Sequence, residues 1–183
     1  MNRAFIKGVP PEESGFDYLA LGSIVGNLLT LEFALRFFLH ETLGEERQPD
    51  SKPVQLACVC KGQRIPCNHL TNYSALGCLI KEANKKLGEL DRPERVDPSL
   101  VHLRDAIAHG RVFSNVHPTG PYRLLKFSSP RKDDGMVQVE VSIELNQEWW
   151  RSQVQQTAEA VNKMQKVLLS LYPSQTPIVE AAD

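Results

Sequence analysis

The sequence predicts a mainly α protein: a four-helix bundle with a β-hairpin inserted between its third and fourth helices. Three observations carry that expectation. Apolar residues recur at helical spacing in four separated stretches. Between Val137 and Leu145 the period drops to two, with Val137, Val139, Val141, Ile143 and Leu145 alternating with polar residues, as in a half-buried strand. Prolines and glycines fall between these stretches, at Gly44, Pro53, Pro98, Gly110 and Pro173. With 183 residues, 42% of them hydrophobic, the chain can bury the core of one domain. The expected organisation is a lead-in over 1–15, a helical domain over 16–172 with the hairpin at about 111–145, and a flexible tail over 173–183.

The first helix is expected over Phe16–Leu43, with Gly44 as its stop. Glu32, Arg36 and His40 stand at four-residue spacing on one side, and a Glu32–Arg36 pair contributes only a few tenths of a kcal/mol. Tyr18–Leu31 carries no charge but has only fourteen residues, short of the about 20 that span a bilayer. The reading is no membrane. Such a helix is buried on two faces, one against its own core and one against a partner subunit. A central helix in a monomer fits the same pattern.

A charged linker, Glu45–Pro53, leads into Val54–Leu70, which reads as irregular or weakly extended. The second helix, about Asn72–Leu87, carries Leu76, Leu79, Ile80, Ala83 and Leu87 as its stripe. Asp91–Pro98 is a loop. In the third helix Asp97 fits the N-cap and Pro98 the first helical position; Leu100, Leu103 and Ile107 face the core, and Gly110 fits the C′ position. Tyr122–Phe127 is the antiparallel partner expected for Val137–Leu145, through a polar turn that includes Asp134-Gly135. The last helix starts near Asn146 and carries Trp150, Val154, Ala158, Val161, Gln165, Leu168 and Leu171 down one side until Pro173.

A formal net charge of −1 excludes a global basic field, so attraction to nucleic acid has to come from a local patch. The candidate patch is Arg104, Arg111, Arg123, Lys126, Arg131 and Lys132 against Asp105, diluted by Asp133 and Asp134. A solvated hairpin with ordinary surface charges is the competing explanation. Four cysteines with no export signal at Met1–Glu13 point to reduced thiols in the cytoplasm. Cys58, Cys60, Cys67 and His69 give C-x-C-x6-C-x-H, four zinc-type ligands, although C-x-C departs from the common C-x2-4-C spacing. Buried free cysteines are the alternative, and Cys78 reads as core. No cofactor is otherwise expected, since the glycines form no phosphate loop.

The chemistry concentrates in Leu103–Gly110, L-R-D-A-I-A-H-G. At 100° per residue Arg104 lies about 40° from Leu100, whereas His102, Asp105 and His109 share another side. Asp105 and His109 are one turn apart, so a hydrogen bond between them would orient the imidazole and favour its charged form. Arg104 and His109 stand about 140° apart, so they meet on one phosphate only if the helix end unwinds or a second subunit supplies one of them. Spacing alone leaves three explanations open: a general acid or base, a metal site of His102, Asp105 and His109, and a histidine that merely complements the helix dipole.

L-R-D-A-I-A-H-G resembles the Arg-polar-x3-His motif of the HEPN superfamily (higher eukaryotes and prokaryotes nucleotide-binding). Ser74–Leu79, S-A-L-G-C-L, followed by Ile80-Lys81, resembles the L-G-x-L-I-K segment upstream of that motif in many HEPN-like bacterial proteins. The resemblance implies a metal-independent endoribonuclease acting on RNA as a homodimer, in a family that includes toxins with antitoxin partners and phage-defence effectors. It implies that Arg104 holds the scissile phosphate, that His109 transfers a proton, and that Asp105 fills the polar position, where asparagine is frequent. Arg111, Arg123 and Lys126 are the expected substrate-binding residues. A HEPN-like module without catalysis, binding nucleic acid, a nucleotide or a protein, and a plain helical dimerisation domain remain as alternatives.

Overall fold

The computed structural model describes residues 11–43, 58–114, 122–131 and 135–172. The start of the lead-in, Gly44, the linker Glu45–Pro53, the basic Lys132 with Asp133 and Asp134, and the tail from Pro173 lie outside the described residues. The element order is α1 (Pro11–Thr42), α2 (Leu76–Glu89), α3 (Leu100–His109), β1 (Arg111–Ser114), β2 (Tyr122–Phe127), β3 (Val139–Leu145) and α4 (Gln147–Leu171). The protein is therefore mainly α, with a small antiparallel sheet inserted between α3 and α4.

Its contacts group into two units, Met1–Leu29 with Pro98–Ala160 and Thr30–Asp97 with Val161–Asp183. The first unit buries Ala20, Ile24 and Leu28 of α1, Leu100, Leu103 and Ala106 of α3, Leu124 and Leu145 of the sheet, and Trp150, Thr157 and Ala160 of α4. α4 starts near Asn146 as expected, and Asn146 caps it: its Oδ1 accepts the Trp149 N–H at 2.8 Å, satisfying one of the donors a helix start leaves open. The buried threonine is satisfied locally. Its hydroxyl donates to the Gln153 carbonyl at 2.8 Å and accepts from Asn27 Nδ2 at 3.1 Å. The α4 core stripe is thus Trp150, Thr157, Ala160, Met164 and Val167, rotated from the expected one, and Gln165 is exposed.

The second unit is built on α2, whose buried residues are the five expected from its period. They share a core with Leu31, Leu35, Phe38 and Leu39 of α1, and with Val96, Met164 and Val167. Arg36 is more than half of an ion pair. Its Nε and Nη2 reach Glu32 Oε1 at 3.1 and 2.9 Å. Its Nη1 donates to the carbonyls of His69 and Asn72 and to Asn72 Oδ1, and its Nη2 to the Ser74 carbonyl. A guanidinium 12% exposed thereby ties the irregular 69–74 segment to α1. Asn84 does the same for the loop after α2, donating to the Val96 carbonyl and accepting its N–H, each at 2.8 Å.

α2 opens at Leu76, not Asn72, and β3 at Val139, not Val137; two further boundaries moved for physical reasons. α1 opens at Pro11 and not Phe16, because a proline in the first turn gives up an N–H that has no helical partner there. α3 opens at Leu100 with Ser99 before it, because Pro98 and Ser99 form a turn whose Pro98 carbonyl accepts the Val101 N–H at 3.1 Å. By length and composition Tyr18–Thr42 could cross a membrane, which the charge-free run alone does not indicate; a third of that window (33%) is buried inside the protein. The opposite side of α1 is bare: Tyr18, Leu19, Leu29 and Phe33 are 59–75% exposed, and a Cβ at Gly22 or Gly26 meets nothing within 4 Å.

Candidate active site

α3 remains helical through His109, with the Gly110 N–H still donating to the Ala106 carbonyl at 2.8 Å. No unwinding brings Arg104 and His109 together, so the about 140° between them persists. Both side chains are exposed. Neither is covered by its own chain, as a core-packed arginine or histidine would be.

Asp105 does not bond to His109. Its Oδ1 accepts from Arg104 Nη1 at 3.2 Å, an ion pair whose side chains are 47% and 39% exposed. The adjacent guanidinium reaches this carboxylate and forms a charge-assisted bond. Among the described residues the imidazole of His109 makes no hydrogen bond or ion pair. His102 is exposed as well, and no metal group forms with Asp105 and His109.

Gly110 has a role the helix-end reading missed. Its backbone is extended (φ −75°, ψ 165°), so no left-handed conformation demands glycine. A Cβ there would lie 2.2 Å from the Ala106 carbonyl oxygen and 2.6 Å from Leu124 Cδ1. Glycine lets the chain leave α3 after His109 and enter β1 directly beside β2, which places Arg111 at the start of the edge strand.

The sheet has the order β1-β2-β3, and β2 pairs with β3 as the alternation predicts. β1 is the strand the sequence did not announce. Side chains of directly paired residues share a face. Val112, Leu124 and Ile143 fall in one row, on the face where Leu124 and Leu145 are buried. Arg111 with Leu125, and Phe113 with Arg123 and Glu144, form rows on the outer face, together with Phe127. Lys126 pairs in register with Val141, on the buried side, and its ammonium lies 3.3 Å from Glu140 Oε2 beside the irregularity between Lys126 and Phe127. The three expected substrate-binding residues are therefore split: Arg111 and Arg123 share a face and Lys126 does not.

The cysteine cluster does not assemble. Among the described residues no group of three or more His, Cys, Asp or Glu could hold a metal ion, and the Cys58, Cys60, Cys67 and His69 set is included in that. Cys58, Cys60, Cys67 and Cys78 are exposed and outside any disulfide among the described residues, not buried as expected. Cys78 falls off the α2 stripe, and His69 Nε2 lies 3.6 Å from Glu82 Oε2. Gly62 makes a turn between Cys60 and Cys67, with φ +90° and the Gln63 N–H donating to the Cys60 carbonyl at 3.1 Å. Comparison with protein-family models, curated proteins and solved structures returned no match.

Proposed function

We propose that the chain is a metal-independent endoribonuclease of HEPN type that acts on RNA as a homodimer. Arg104 holds the scissile phosphate and stabilises the charge that develops on it. His109 takes the proton of the attacking 2′-hydroxyl; the new P–O2′ bond forms, the P–O5′ bond breaks, and the imidazole passes that proton to the leaving 5′-oxygen. The observation that carries this reading is the state of the two side chains. Both reach solvent, and among the described residues His109 has no hydrogen-bond or ion-pair partner and Arg104 has one, the exposed pair with Asp105. Such a pair contributes about 0–1 kcal/mol, so Arg104 exchanges Asp105 for a phosphate at little cost.

With α3 regular, one helix does not aim Arg104 and His109 at one phosphate, and in this proposal a second copy supplies the missing side chain. The bare side of α1 is the surface that fits a second copy. Tyr18, Leu19, Val25, Leu29 and Phe33 expose roughly 500 Å² between them, so a self-paired stripe buries about 1,000 Å² in total, the lower limit for a specific interface. The two open glycines allow close backbone approach there. Exposed thiols outside any disulfide among the described residues fit a reducing, cytoplasmic setting.

The Arg104–Asp105 pair favours one second reading: a HEPN-like module without catalysis, in which the carboxylate blocks the phosphate position and the exposed surface serves a protein partner such as an antitoxin. Incubation of purified protein with mixed RNAs in EDTA separates the two. Cleavage by wild type and its loss in His109→Ala and Arg104→Ala is the expected result. Equal cleavage by all three, or by none, removes the ribonuclease assignment.

A further inference from the structure

We infer that the outer face of the β1-β2-β3 sheet is a stacking platform for the bases of single-stranded RNA, an inference that rests on the ribonuclease reading and names its substrate form. A solvent-facing sheet surface is ordinarily polar. This one carries Phe113, Leu125 and Phe127 in adjoining rows, with Val139 paired to Phe127 and 50% exposed. Phe113 is 43% exposed and stands edge-on to Phe127, their centroids 6.4 Å apart at 89°. The Arg111 guanidinium lies over the Phe127 ring, 5.8 Å from its centroid. Arg123 is exposed between Phe113 and Glu144 and makes no hydrogen bond or ion pair among the described residues.

Two aromatic rings and two guanidiniums on one face match the two needs of an unpaired nucleic-acid strand. Planar groups accept bases by stacking, and cations accept the phosphates between them. A protein partner would use the apolar rows but has no requirement for the flanking arginines. A duplex keeps its bases stacked on one another and offers the rings nothing. β1 follows His109 after one residue, so a strand lying on this face enters the motif end of α3 directly.

The test uses His109→Ala as the background, so that binding is read without cleavage. Fluorescence anisotropy with a labelled twelve-nucleotide oligouridine measures Kd for that protein and for added Phe113→Ala, Phe113→Leu, Arg123→Gln and, as a control, Lys85→Gln. Loss of one stacked base weakens binding about 5- to 100-fold, so Phe113→Ala is expected in that range, and the gentler Phe113→Leu in the same direction. Arg123→Gln is expected to weaken binding and to lower the salt slope by about 0.7, one phosphate contact on a single strand. Lys85→Gln, on α2, stays within about twofold, and duplex RNA of matched length binds more weakly. Binding equal to the background protein in both Phe113 variants and in Arg123→Gln overturns the platform, even if the wild type cleaves RNA. Phe113- and Arg123-dependent binding by a wild type that never cleaves upholds the platform and removes the ribonuclease instead. No binding of the oligouridine overturns it outright.

Discussion

Replacing Gly110 by alanine tests whether the junction between α3 and β1 is as tight as its geometry implies. The added methyl would sit 2.2 Å from the Ala106 carbonyl oxygen and 2.6 Å from Leu124 Cδ1. The leucine can rotate away. The carbonyl cannot, because it belongs to the last turn of α3 and accepts the Gly110 N–H at 2.8 Å. Relieving the clash loses that bond, about 1 kcal/mol, and strains the packing by about 1–3 kcal/mol. Alanine tolerates φ −75° and ψ 165° and restricts the unfolded chain, which returns about 0.4–1 kcal/mol. The net destabilisation is about 1–3 kcal/mol, or roughly 2–12 °C in Tm for a chain of this size. Differential scanning calorimetry of Gly110→Ala beside Gly88→Ala reads it. Gly88 is exposed in the last turn of α2, and a methyl added there would meet only the flexible Arg95 tip at 3.3 Å, so that variant should melt slightly above wild type. A Gly110→Ala protein that melts with wild type would refute the reasoning.

Three further outcomes are expected. Arg36→Met keeps the stem but removes the donors to Glu32 and to the carbonyls of His69, Asn72 and Ser74; urea unfolding should show a loss of about 3–5 kcal/mol, and a loss under 1 kcal/mol would contradict the clamp. Asp105→Asn frees Arg104 and removes a carboxylate from the phosphate path, so RNA affinity at low salt should rise about 2- to 5-fold and the gain should shrink as salt rises; weaker binding would show that Asp105 supports the site. Leu29→Glu, 64% exposed on α1, should give a monomer by light scattering with an unaltered fold, and a wild-type monomer at micromolar concentration would remove the homodimer.

Much of the fold was legible because some elements have one apolar solution. The α2 stripe Leu76, Leu79, Ile80, Ala83, Leu87 admits no other face, and the β2–β3 pairing follows from strict alternation. α4 offers two neighbouring stripes. The sequence favours Val154, Ala158 and Val161, yet the chain buries Thr157 and Met164, because the threonine hydroxyl finds partners inside. β1 is four residues long, too short to show a period, so the outer face of the sheet stayed invisible. At the site, the wheel located Arg104 and His109 correctly on different sides of α3. It did not foresee that Asp105 would take its neighbour Arg104 as partner, since side chains adjacent in sequence do not face each other on a wheel but can still meet through a long, flexible arginine. Arg36 shows the same limit: spacing revealed Glu32, and only tertiary structure brought the 69–74 carbonyls to it.

The two-copy site is tested most directly by complementation. Arg104→Ala and His109→Ala proteins are each assayed on single-stranded RNA in EDTA, then mixed in equal amounts after unfolding and refolding together. If Arg104 from one copy and His109 from the other form each site, half the refolded dimers are mixed and each holds one intact site, so cleavage returns to about a quarter of wild type. A mixture as inactive as its two components, alongside an active wild type, would contradict the composite site.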